Sequence, residues 1–520
     1  MTVMSSARPI DPNALTLDAV RAGILRDREV TVLGFARSGI ALARFLADAG
    51  ARVTIYDGRP ADELADAIAA LENRDVRLLA GPAIDPVTAW RDAALVTTSP
   101  SINPDFPTTE PRLRAALQAL VQARRAGDPT APALVSEPDL FLRLCPAPTV
   151  GITGTKGKTT TASLAAAILA GDPAHPSVLG GNIGIPIVET LPELTPDHRV
   201  VYELSELQIP TLSRGTTVAV YTNVTSDHLD RHGSLGGYRR VKRRLAELVD
   251  LEGALVLNMD DQVVASYATL RTARVVPYSL DRPVPGGVGL MDRWIVAERV
   301  DRLALAGGGA AGAGRGRTRI MPIADLRIPG RHNVANAMAA IAVGLLFGVP
   351  AEAIRRAAAA FEGVEHRLEE VAVIDGVRFV NDSQGTQPDA VIAAIRAFEG
   401  PLVLIAGGRD KGVDLDALGA AVGRRVTAAV LIGESGPVLE RLFRGSGLTR
   451  AEQAVTLEDA VVRADALARE AMGDRGAGAT VLLSPAAASF DMFEDYEARG
   501  RAFKAAVAAI ASAHAKGKGR

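Results

Sequence analysis

A glycine-rich segment with lysine and threonine residues carries the clearest chemistry in this 520-residue sequence. Residues 150–161 read VGITGTKGKTTT and lie between an apolar run and a run that favours helix. Backbone N–H groups of such a turn, with the positive end of the following helix, bind phosphate oxygens. Lys158 can then neutralise phosphate charge, and the Thr159 hydroxyl can ligate Mg²⁺. The segment predicts a site for ATP or GTP, with contacts from Gly154, Thr155, Lys156, Gly157, Lys158, Thr159 and Thr160.

The spacing of this segment differs from the strict pattern GxxxxGK[ST]. Ile152 stands five positions before Gly157, and glycines occur at positions 151 and 154 instead. A turn that merely joins a strand to a helix is the alternative interpretation. The flanking residues 148–153 and 159–170 have the strand and helix character that a phosphate loop requires, so they favour nucleotide binding.

Four more short clusters follow the phosphate loop. They are residues 180–186 (GGNIGIP), 203–208 (ELSELQ), 222–230 (TNVTSDHLD) and 238–242 (YRRVK). Glu203 and His228 come at or just after apolar runs, which in an open α/β sheet end at the ligand-binding edge. Because Mg²⁺ prefers oxygen ligands, Glu203 with Thr159 would form one metal position, and His228 would suit a second. A helix cap or surface charge is the alternative for a lone acidic residue at a strand end.

A second glycine turn lies near the N-terminus. Residues 34–39 read GFARSG, and Asp57 follows at the end of the next apolar run. The turn resembles GxGxxG with Ala36 in place of the middle glycine, which alone would predict NAD binding. A structural turn between a strand and a helix, or a site for a different nucleotide, is the alternative.

Composition limits the class of protein. The formal net charge is −2, so electrostatics gives no reason to expect nucleic acid or an anionic membrane as partner. Cys145 is the only cysteine, so no intramolecular disulfide can form, and no apolar run is long enough for a membrane span. A basic-then-apolar signal pattern is lacking at the N-terminus. We therefore expect a cytoplasmic enzyme that acts on small molecules, without membrane insertion.

The pattern of apolar runs predicts an α/β fold with three domains. A strand, glycine turn, helix and strand over 30–57 predict an N-terminal Rossmann-like domain at 1–145, with 1–28 as a flexible lead-in. Strands near 200–204 and 218–223 predict a central P-loop ATPase-like parallel sheet at 146–363. The glycine-rich stretch 307–316 would be a surface loop or hairpin connection. Strands at 377–381, 402–406, 428–432 and 480–483 predict a C-terminal Rossmann-like domain at 364–520.

The order of these clusters resembles that of the Mur ligases, ATP-dependent amide-bond-forming enzymes of peptidoglycan synthesis, over roughly residues 28–505. The resemblance implies that the substrate carboxylate attacks ATP to give an acyl phosphate, which an amino acid then attacks through its amine. The segments that carry it are 154–159, 181–184, Glu203, Asn223 with Asp227 and His228, 329–337 (PGRHNVANA) and 365–367 (EHR).

Within the family, the turn at 34–39 and the segment 484–500 are similar to the members that add D-glutamate to UDP-N-acetylmuramoyl-L-alanine. The resemblance implies that the N-terminal domain binds the UDP substrate, which displaces the NAD interpretation. It assigns UDP-substrate contacts to Ala36, Arg37, Ser38, Asp57 and Asn182, and ATP contacts beyond the phosphate loop to Asn333, Asn336, Arg367 and Asp382.

The resemblance also implies three catalytic residues, Lys158, His228 and Lys242, and two Mg²⁺ ions. The ligands would be Thr159, Glu203, His228 and a carbamylated Lys242, whose added CO₂ turns a cation into an anion. From the residues alone, Lys242 lies in the basic run 239–244 and would be a solvated helix charge.

Amino-acid recognition is assigned by the resemblance to the C-terminal domain, at Thr386, Lys411, Ser489, Phe490 and Tyr496. Gln384 stands where the family commonly has lysine, so L-glutamate or another amino acid stays open as the substrate. Three rival functions are a folylpolyglutamate synthetase-like ligase, a nucleotide-binding regulatory ATPase and an NAD-dependent dehydrogenase. We expect the protein to be a monomer.

Overall fold

The computed structural model describes residues 8–183, 185–225, 234–304, 316–328, 330–409, 415–473 and 478–517. The chain divides into two compact units, Met1–Glu362 and Gly363–Arg520. The first unit contains a five-stranded and a nine-stranded sheet, and the second contains a six-stranded sheet. The predicted three-part α/β fold is therefore confirmed, while the exact limits at 1–145, 146–363 and 364–520 stay a prediction.

The N-terminal sheet is fully parallel, with strand order β3-β2-β1-β4-β5. Its order reverses beside β1, which creates a crevice at the carboxyl ends of β1 and β4. The strands are β1 (Glu29–Leu33), β2 (Arg52–Asp57), β3 (Val76–Ala80), β4 (Leu95–Thr98) and β5 (Ala133–Ser136). The helices are α1 (Leu17–Arg21), α2 (Arg37–Asp48), α3 (Ala65–Ala69), α4 (Pro111–Arg125) and α5 (Glu137–Leu144).

The lead-in before β1 packs against the first unit. Ile10, Leu15 and Leu25 are buried in its core, and the Ile10 N–H donates to the Ala94 carbonyl over 2.9 Å. Arg143 on α5 donates from Nη1 to the Pro12 carbonyl over 2.8 Å. The prediction of a flexible lead-in is therefore wrong for residues 8–28. The apolar side chains of this segment have no regular spacing in the sequence, but in the structure they pack together into the core of the first unit.

The central sheet has strand order β14-β13-β12-β11-β10-β9-β6-β8-β7, parallel from β7 to β12 and antiparallel from β12 to β14. Its first five strands are β6 (Thr149–Thr153), β7 (Ser177–Gly181), β8 (Arg199–Glu203), β9 (Val218–Tyr221) and β10 (Ala254–Asn258). The others are β11 (Arg274–Ser279), β12 (Gly287–Met291), β13 (Trp294–Glu298) and β14 (Arg317–Pro322). Its helices are α6 (Lys158–Leu169), α7 (Leu235–Leu248), α8 (Gln262–Ser266), α9 (Arg331–Leu346) and α10 (Ala351–Ala360).

The two faces of the central sheet lie in different cores. Val150 and Ile152 of β6 are fully buried on the side of α6 and α9. Tyr202 and Tyr221 are buried on the other side, in a core that also contains Phe141 of α5. Burial on both faces explains the nearly continuous apolar strands of this sequence. The predicted glycine-rich connection at 307–316 lies almost wholly outside the described residues, and the strands that flank it, β13 and β14, pair antiparallel.

The second unit has strand order β15-β16-β20-β17-β18-β19, and every strand after β15 pairs parallel to its neighbours. The strands are β15 (Glu369–Ile374), β16 (Val377–Asn381), β17 (Leu402–Gly407), β18 (Ala428–Ile432), β19 (Ala451–Gln453) and β20 (Ala479–Leu483). The helices are α11 (Pro388–Arg396), α12 (Asp416–Arg425), α13 (Gly436–Gly445), α14 (Leu457–Met472) and α15 (Tyr496–Gly517). None of the helices in the described ranges combines the length and apolar character that a bilayer span requires.

A buried carboxyl group lies inside the first unit. Glu137, at the start of α5, is only 3% exposed, and its Oε1 has no hydrogen-bond partner among the described residues. Burial raises the pKa of Glu137 to about 7, although the Val188 N–H bonds the carboxylate. The neighbouring Phe141 ring packs edge-on against Tyr202 at 5.3 Å between centroids. Ionisation of Glu137 therefore opposes folding.

Replacing Glu137 by glutamine is expected to stabilise the protein at pH 8 much more than at pH 5. The unfolded carboxyl releases its proton near pH 4.5, whereas the folded one holds it until about pH 7. As the pH rises from about 4.5 to about 7, the free energy of unfolding of the wild type thus decreases by up to ~3 kcal/mol, and it stays lower at higher pH. Urea unfolding of both proteins at the two pH values measures this difference. Glu63→Gln, at an exposed carboxyl, is the matched control, and an equal effect of Glu137→Gln at both pH values would contradict the prediction.

Candidate functional site

The predicted phosphate loop joins β6 to α6 and depends on two glycines with positive φ. Gly157 has φ +83°, and a Cβ there would lie 2.4 Å from Asn336 Oδ1 on α9. Gly154 has φ +151°, and a Cβ there would lie 1.9 Å from Thr222 Oγ1. Both positions combine a left-handed backbone with close neighbours, so only glycine fits.

Residues after β9 hold this loop in shape. The Thr155 N–H donates to the Asn223 carbonyl over 2.8 Å, and the Lys156 N–H donates to Asn223 Oδ1 over 2.9 Å. The Lys156 carbonyl accepts from Asn223 Nδ2 at 2.9 Å and from Thr222 Oγ1 at 2.7 Å. The cluster at 222–230 is evident in the sequence, but its role in supporting the phosphate loop is not, because that role depends on β9 lying beside β6.

The start of α6 offers an anion site. Lys158 is half-buried, and its Nζ donates to the Thr155 carbonyl over 2.9 Å. Thr159 is buried in the first turn of this twelve-residue helix, where backbone N–H groups have no partner within the helix. Gly157 supplies no side-chain cap. The arrangement suits phosphate oxygens at the positive end of the helix.

Two asparagines of α9 lie beside the loop. Asn336 is buried, its Oδ1 faces Gly157, and its Nδ2 donates to Asn333 Oδ1 over 3.0 Å. The structure therefore brings the two predicted ATP contacts of this helix to the predicted phosphate site. Because Gly157 and Asn336 are about 180 residues apart in the sequence, local sequence patterns could not predict this contact.

Glu203 ends β8, the strand next to β6. It is 1% exposed, its Oε1 accepts from Asn182 Nδ2 over 3.0 Å, and its Oε2 has no hydrogen-bond partner among the described residues. A buried carboxylate oxygen without a partner is unfavourable unless a cation approaches. Glu203 therefore fits a Mg²⁺ position. Asn182, predicted at the UDP substrate, is exposed and orients this carboxylate.

Lys242 on α7 is completely buried, with 0% exposure. Its Nζ donates to Thr153 Oγ1 over 3.1 Å and lies 5.5 Å from the centre of the Tyr238 ring. The Tyr238 hydroxyl in turn hydrogen-bonds Thr155 Oγ1 at 2.9 Å. The interpretation of Lys242 as a solvated charge is wrong, because it lies on the packed face of α7 while Arg240 and other members of the basic run face solvent.

The donor set around this edge fits one cation directly. Within the described ranges, no group of three His, Cys, Asp or Glu side chains could hold a metal ion. Glu203, with the Thr159 hydroxyl expected from the phosphate loop, suits the first Mg²⁺. An unmodified lysine ammonium is not a metal ligand, so Lys242 in the form described does not suit a second cation. His228, predicted as its other ligand, lies outside the described residues.

The N-terminal glycine turn is fixed by Asp57. Its Oδ2 accepts from the Phe35 N–H over 2.8 Å and from Arg59 Nη2 over 2.9 Å. Burial opposes ionisation of Asp57, but the hydrogen bonds from Arg59 and Phe35 outweigh it and hold its pKa below the ordinary value. Asp57 therefore shapes the turn, which is where the predicted contacts Ala36, Arg37 and Ser38 begin α2.

A cavity of about 320 Å³ opens at this turn, in the crevice between β1 and β4. Gly34, Asp57 and Glu110 line it, together with Leu207 from the central part of the chain. Ser99, which follows β4, is buried, and its Oγ has no hydrogen-bond partner among the described residues. It lies 3.1 Å from where a Cβ on Gly34 would stand. A polar group of a ligand bound at the start of α2 would satisfy this hydroxyl. Ser99 was not among the residues predicted from the sequence.

The second unit places Asp382 directly after β16. Burial raises the pKa of Asp382 to about 6, against hydrogen bonds from Ser484 Oγ at 2.6 Å and the Leu368 N–H at 3.2 Å and the nearby positive charge of Arg367. The predicted ATP contacts Arg367 and Asp382 are thus neighbours.

Four of the five residues predicted for the amino-acid substrate are described, and all four come after the carboxyl end of β16 or β20 in the chain. Thr386 follows β16, and its N–H donates to the Gln384 carbonyl over 2.8 Å. Ser489 is buried after β20, whereas Phe490 beside it is 63% exposed. Tyr496 begins α15 and donates to Glu497 Oε1 over 3.2 Å. Lys411 lies outside the described residues.

Comparison with known proteins gives a consistent result. Family models for the Mur ligase middle domain and for the Mur ligase glutamate ligase domain match residues 152–344 and 366–487. A UDP-N-acetylmuramoylalanine--D-glutamate ligase from Symbiobacterium thermophilum is 37% identical over 490 residues, 94% of this chain and 100% of that protein. A protein of the same name from Acidobacterium capsulatum is 36% identical over 92% of this chain and 96% of its own. The solved structure of MurF from Acinetobacter baumannii is similar in fold, with a TM-score of 0.52 at 15% identity over 94% of this chain and 98% of that one.

Proposed function

The chain belongs to the Mur ligase family, and from this membership we propose that it joins D-glutamate to UDP-N-acetylmuramoyl-L-alanine with consumption of ATP, in the synthesis of peptidoglycan precursors. The choice of D-glutamate within the family is supported by relatives that are named as D-glutamate ligases and that the chain matches over 100% and 96% of their length. Amide-bond formation driven by ATP is the chemistry of the family as a whole.

One structural observation carries the ligase chemistry. The phosphate loop, the buried carboxylate of Glu203 and the buried amine of Lys242 meet around the carboxyl end of β6, through Thr153 and its neighbours. Ligands of open α/β sheets bind at this edge. A regulatory ATPase would need the phosphate loop and a carboxylate for Mg²⁺, whereas a ligase must also hold the attacking carboxylate near the γ-phosphate.

The proposed reaction proceeds in two steps. A carboxylate oxygen of the UDP substrate forms a bond to the γ-phosphorus of ATP while the bond to ADP breaks, which gives an acyl phosphate. The glutamate amine then attacks the acyl carbon, loses a proton, and phosphate leaves as the amide forms. Two anions must approach each other in the first step, so positive charge at the γ-phosphate lowers the barrier.

Named residues of this chain would perform these tasks. Lys158 and the first turn of α6 bind and orient the phosphates. Glu203 and Thr159 would hold Mg²⁺, which would supply positive charge beside the phosphates. A second ion held by carbamylated Lys242 and His228 is the part of the proposal that depends on modification. Asn333 and Asn336 contact the part of the nucleotide that lies next to the phosphate loop.

The remaining assignments complete the proposal. The UDP portion occupies the cavity beside Asp57, with its phosphates at the start of α2 near Ala36, Arg37 and Ser38. Glutamate binds in the second unit, at Thr386, Lys411, Ser489, Phe490 and Tyr496. Arg367 and Asp382 serve ATP. We expect the enzyme to act as a monomer in the cytoplasm.

Phosphate release by the purified protein tests this function. With ATP, Mg²⁺ and UDP-N-acetylmuramoyl-L-alanine, release is expected with D-glutamate and not with L-glutamate, L-lysine or no amino acid. Release with L-glutamate alone would support the ligase assignment but show that the enzyme prefers the L isomer of glutamate. Release that ignores the amino acid would instead support a nucleotide-hydrolysing regulator.

A further inference from the structure

Arg499 is a buried cation in the second unit. It lies near the start of α15 with 1% exposure, and it is among the largest fully buried side chains of the described protein. Its Nε donates to Ser383 Oγ and its Nη2 to the Ser383 carbonyl, both over 3.0 Å. Its Nη1 donates to the Ala487 carbonyl over 3.3 Å. The guanidinium therefore ties the loop after β16 to the loop after β20.

A third loop reaches the same group. Gly408 follows β17 with φ +145°, and a Cβ there would lie 3.2 Å from Arg499 Nη1. Because β16, β20 and β17 are adjacent and parallel, their carboxyl ends meet at one edge. The first two of these loops contain Thr386 and Ser489, two described residues that are assigned to the amino-acid substrate. Arg499 lies where the three loops converge.

The charge of Arg499 is not neutralised by a contacting carboxylate. Its hydrogen-bond acceptors above are carbonyls and a hydroxyl, and no ion pair within 4.0 Å involves it in the described part of the chain. Asp491 supplies only a more distant attraction, since its Oδ2 accepts from the Glu434 N–H. Burial lowers the pKa of Arg499 to about 10, so it remains charged at neutral pH. A buried charge of this kind stabilises an anion that binds nearby.

We propose that Arg499 positions the three loops of the amino-acid site and supplies the positive potential that selects a substrate with an anionic side chain, glutamate over glutamine. The inference rests on the proposed ligase function and deepens it. Gln384, in the turn that Arg499 holds, carries no charge of its own, so the cation of this turn comes from α15.

Two substitutions separate charge from shape. Arg499→Gln keeps a planar N–H donor but removes the positive charge. Arg499→Lys keeps the positive charge but loses the planar, forked set of N–H donors of the guanidinium. At pH 7, Arg499→Gln is expected to lower the ratio of kcat/KM for D-glutamate over D-glutamine by about 30-fold, with KM for ATP within about twofold. Arg499→Lys is expected to raise KM for D-glutamate while it keeps the ratio within about threefold.

A third variant tests the charge while Arg499 and its hydrogen bonds to Ser383 and Ala487 stay in place. Asp491→Asn removes the distant counter-charge of Arg499 in a nearly isosteric way. It is expected to raise the D-glutamate over D-glutamine ratio by about threefold, because the potential of Arg499 is then less compensated. This variant decides the question if Arg499→Gln does not fold. A ratio that stays the same or falls in Asp491→Asn would then overturn the proposal.

The outcomes separate this inference from the proposed function. If the wild type releases no phosphate in response to any amino acid, the proposed function fails before Arg499 is tested. If the wild type is active and Arg499→Gln slows D-glutamate and D-glutamine equally, Arg499 is merely structural and the inference is overturned. A changed ratio with an unchanged melting temperature supports it.

Discussion

Replacing Lys158 by alanine is expected to lower turnover by about 1000-fold or more. Lys158 is the first residue of α6, and its Nζ already lies over the phosphate loop through the Thr155 carbonyl at 2.9 Å. Without its charge, the attack of a carboxylate on a polyphosphate proceeds against uncompensated repulsion. The measurement is amino-acid-dependent phosphate release at saturating ATP, together with nucleotide binding.

Controls make the Lys158 result specific. Arg240→Ala removes an exposed positive charge from the same unit and should leave turnover within about twofold, because exposed charges are screened by solvent. Lys158→Arg should retain part of the activity, since it keeps the charge but changes the donor geometry. Full activity in Lys158→Ala would mean that the nucleotide binds elsewhere.

Replacing Lys242 by alanine is expected to lower turnover by about 100-fold or more and to make the variant responsive to added formate or acetate. Lys242 is fully buried beside Thr153, a position where an ammonium loses its hydration. A carbamate on Nζ would present an anion there, and truncation to alanine leaves space in which a small carboxylate can replace it. Phosphate release measured against carboxylate concentration tests this expectation.

A matched variant distinguishes rescue from general salt effects. Lys242→Met fills a similar volume with an apolar chain, so it should be equally inactive and should not recover with formate or acetate. Recovery of both variants would indicate an effect of ionic strength. If neither recovers and both keep the wild-type melting temperature, Lys242 does not hold a metal through a carbamate.

Much of the fold could be predicted from the sequence because its elements follow local rules. The strand, turn and helix around Gly34 and around Gly157 are encoded by apolar runs next to glycines, and parallel strands buried on both faces give long apolar runs. The lead-in at 8–28 could not be predicted in the same way. Its apolar residues have no regular period, and the core that covers them comes from distant segments.

The residues of the candidate site likewise fall into those that local sequence signals predict and those that depend on distant neighbours. Lys158, Thr159 and Glu203 could be identified from sequence because their chemistry depends on position at a strand end or helix start. Asn182 was predicted as a contact of the UDP substrate, which stays a prediction, and its hydrogen bond to Glu203 could not be predicted. Ser99 could not be identified, since a serine after a strand is common in any protein. Arg499 lies in the segment 484–500 that carries the family resemblance, but its burial and its hydrogen bonds could not be predicted.

The order of strands and helices, the phosphate loop with its required glycines, and the family of the chain all follow from the amino-acid sequence. The elements and the phosphate loop depend on residues close together in the chain, and the family follows from the order of short motifs along it. The folded structure was needed to learn that Lys242 is buried against Thr153, that one oxygen of Glu203 lacks a partner among the described residues, and that Arg499 lies where three loops meet. Burial and charge compensation are set by neighbours far away in sequence, and only the packing of whole sheets and helices brings those neighbours together.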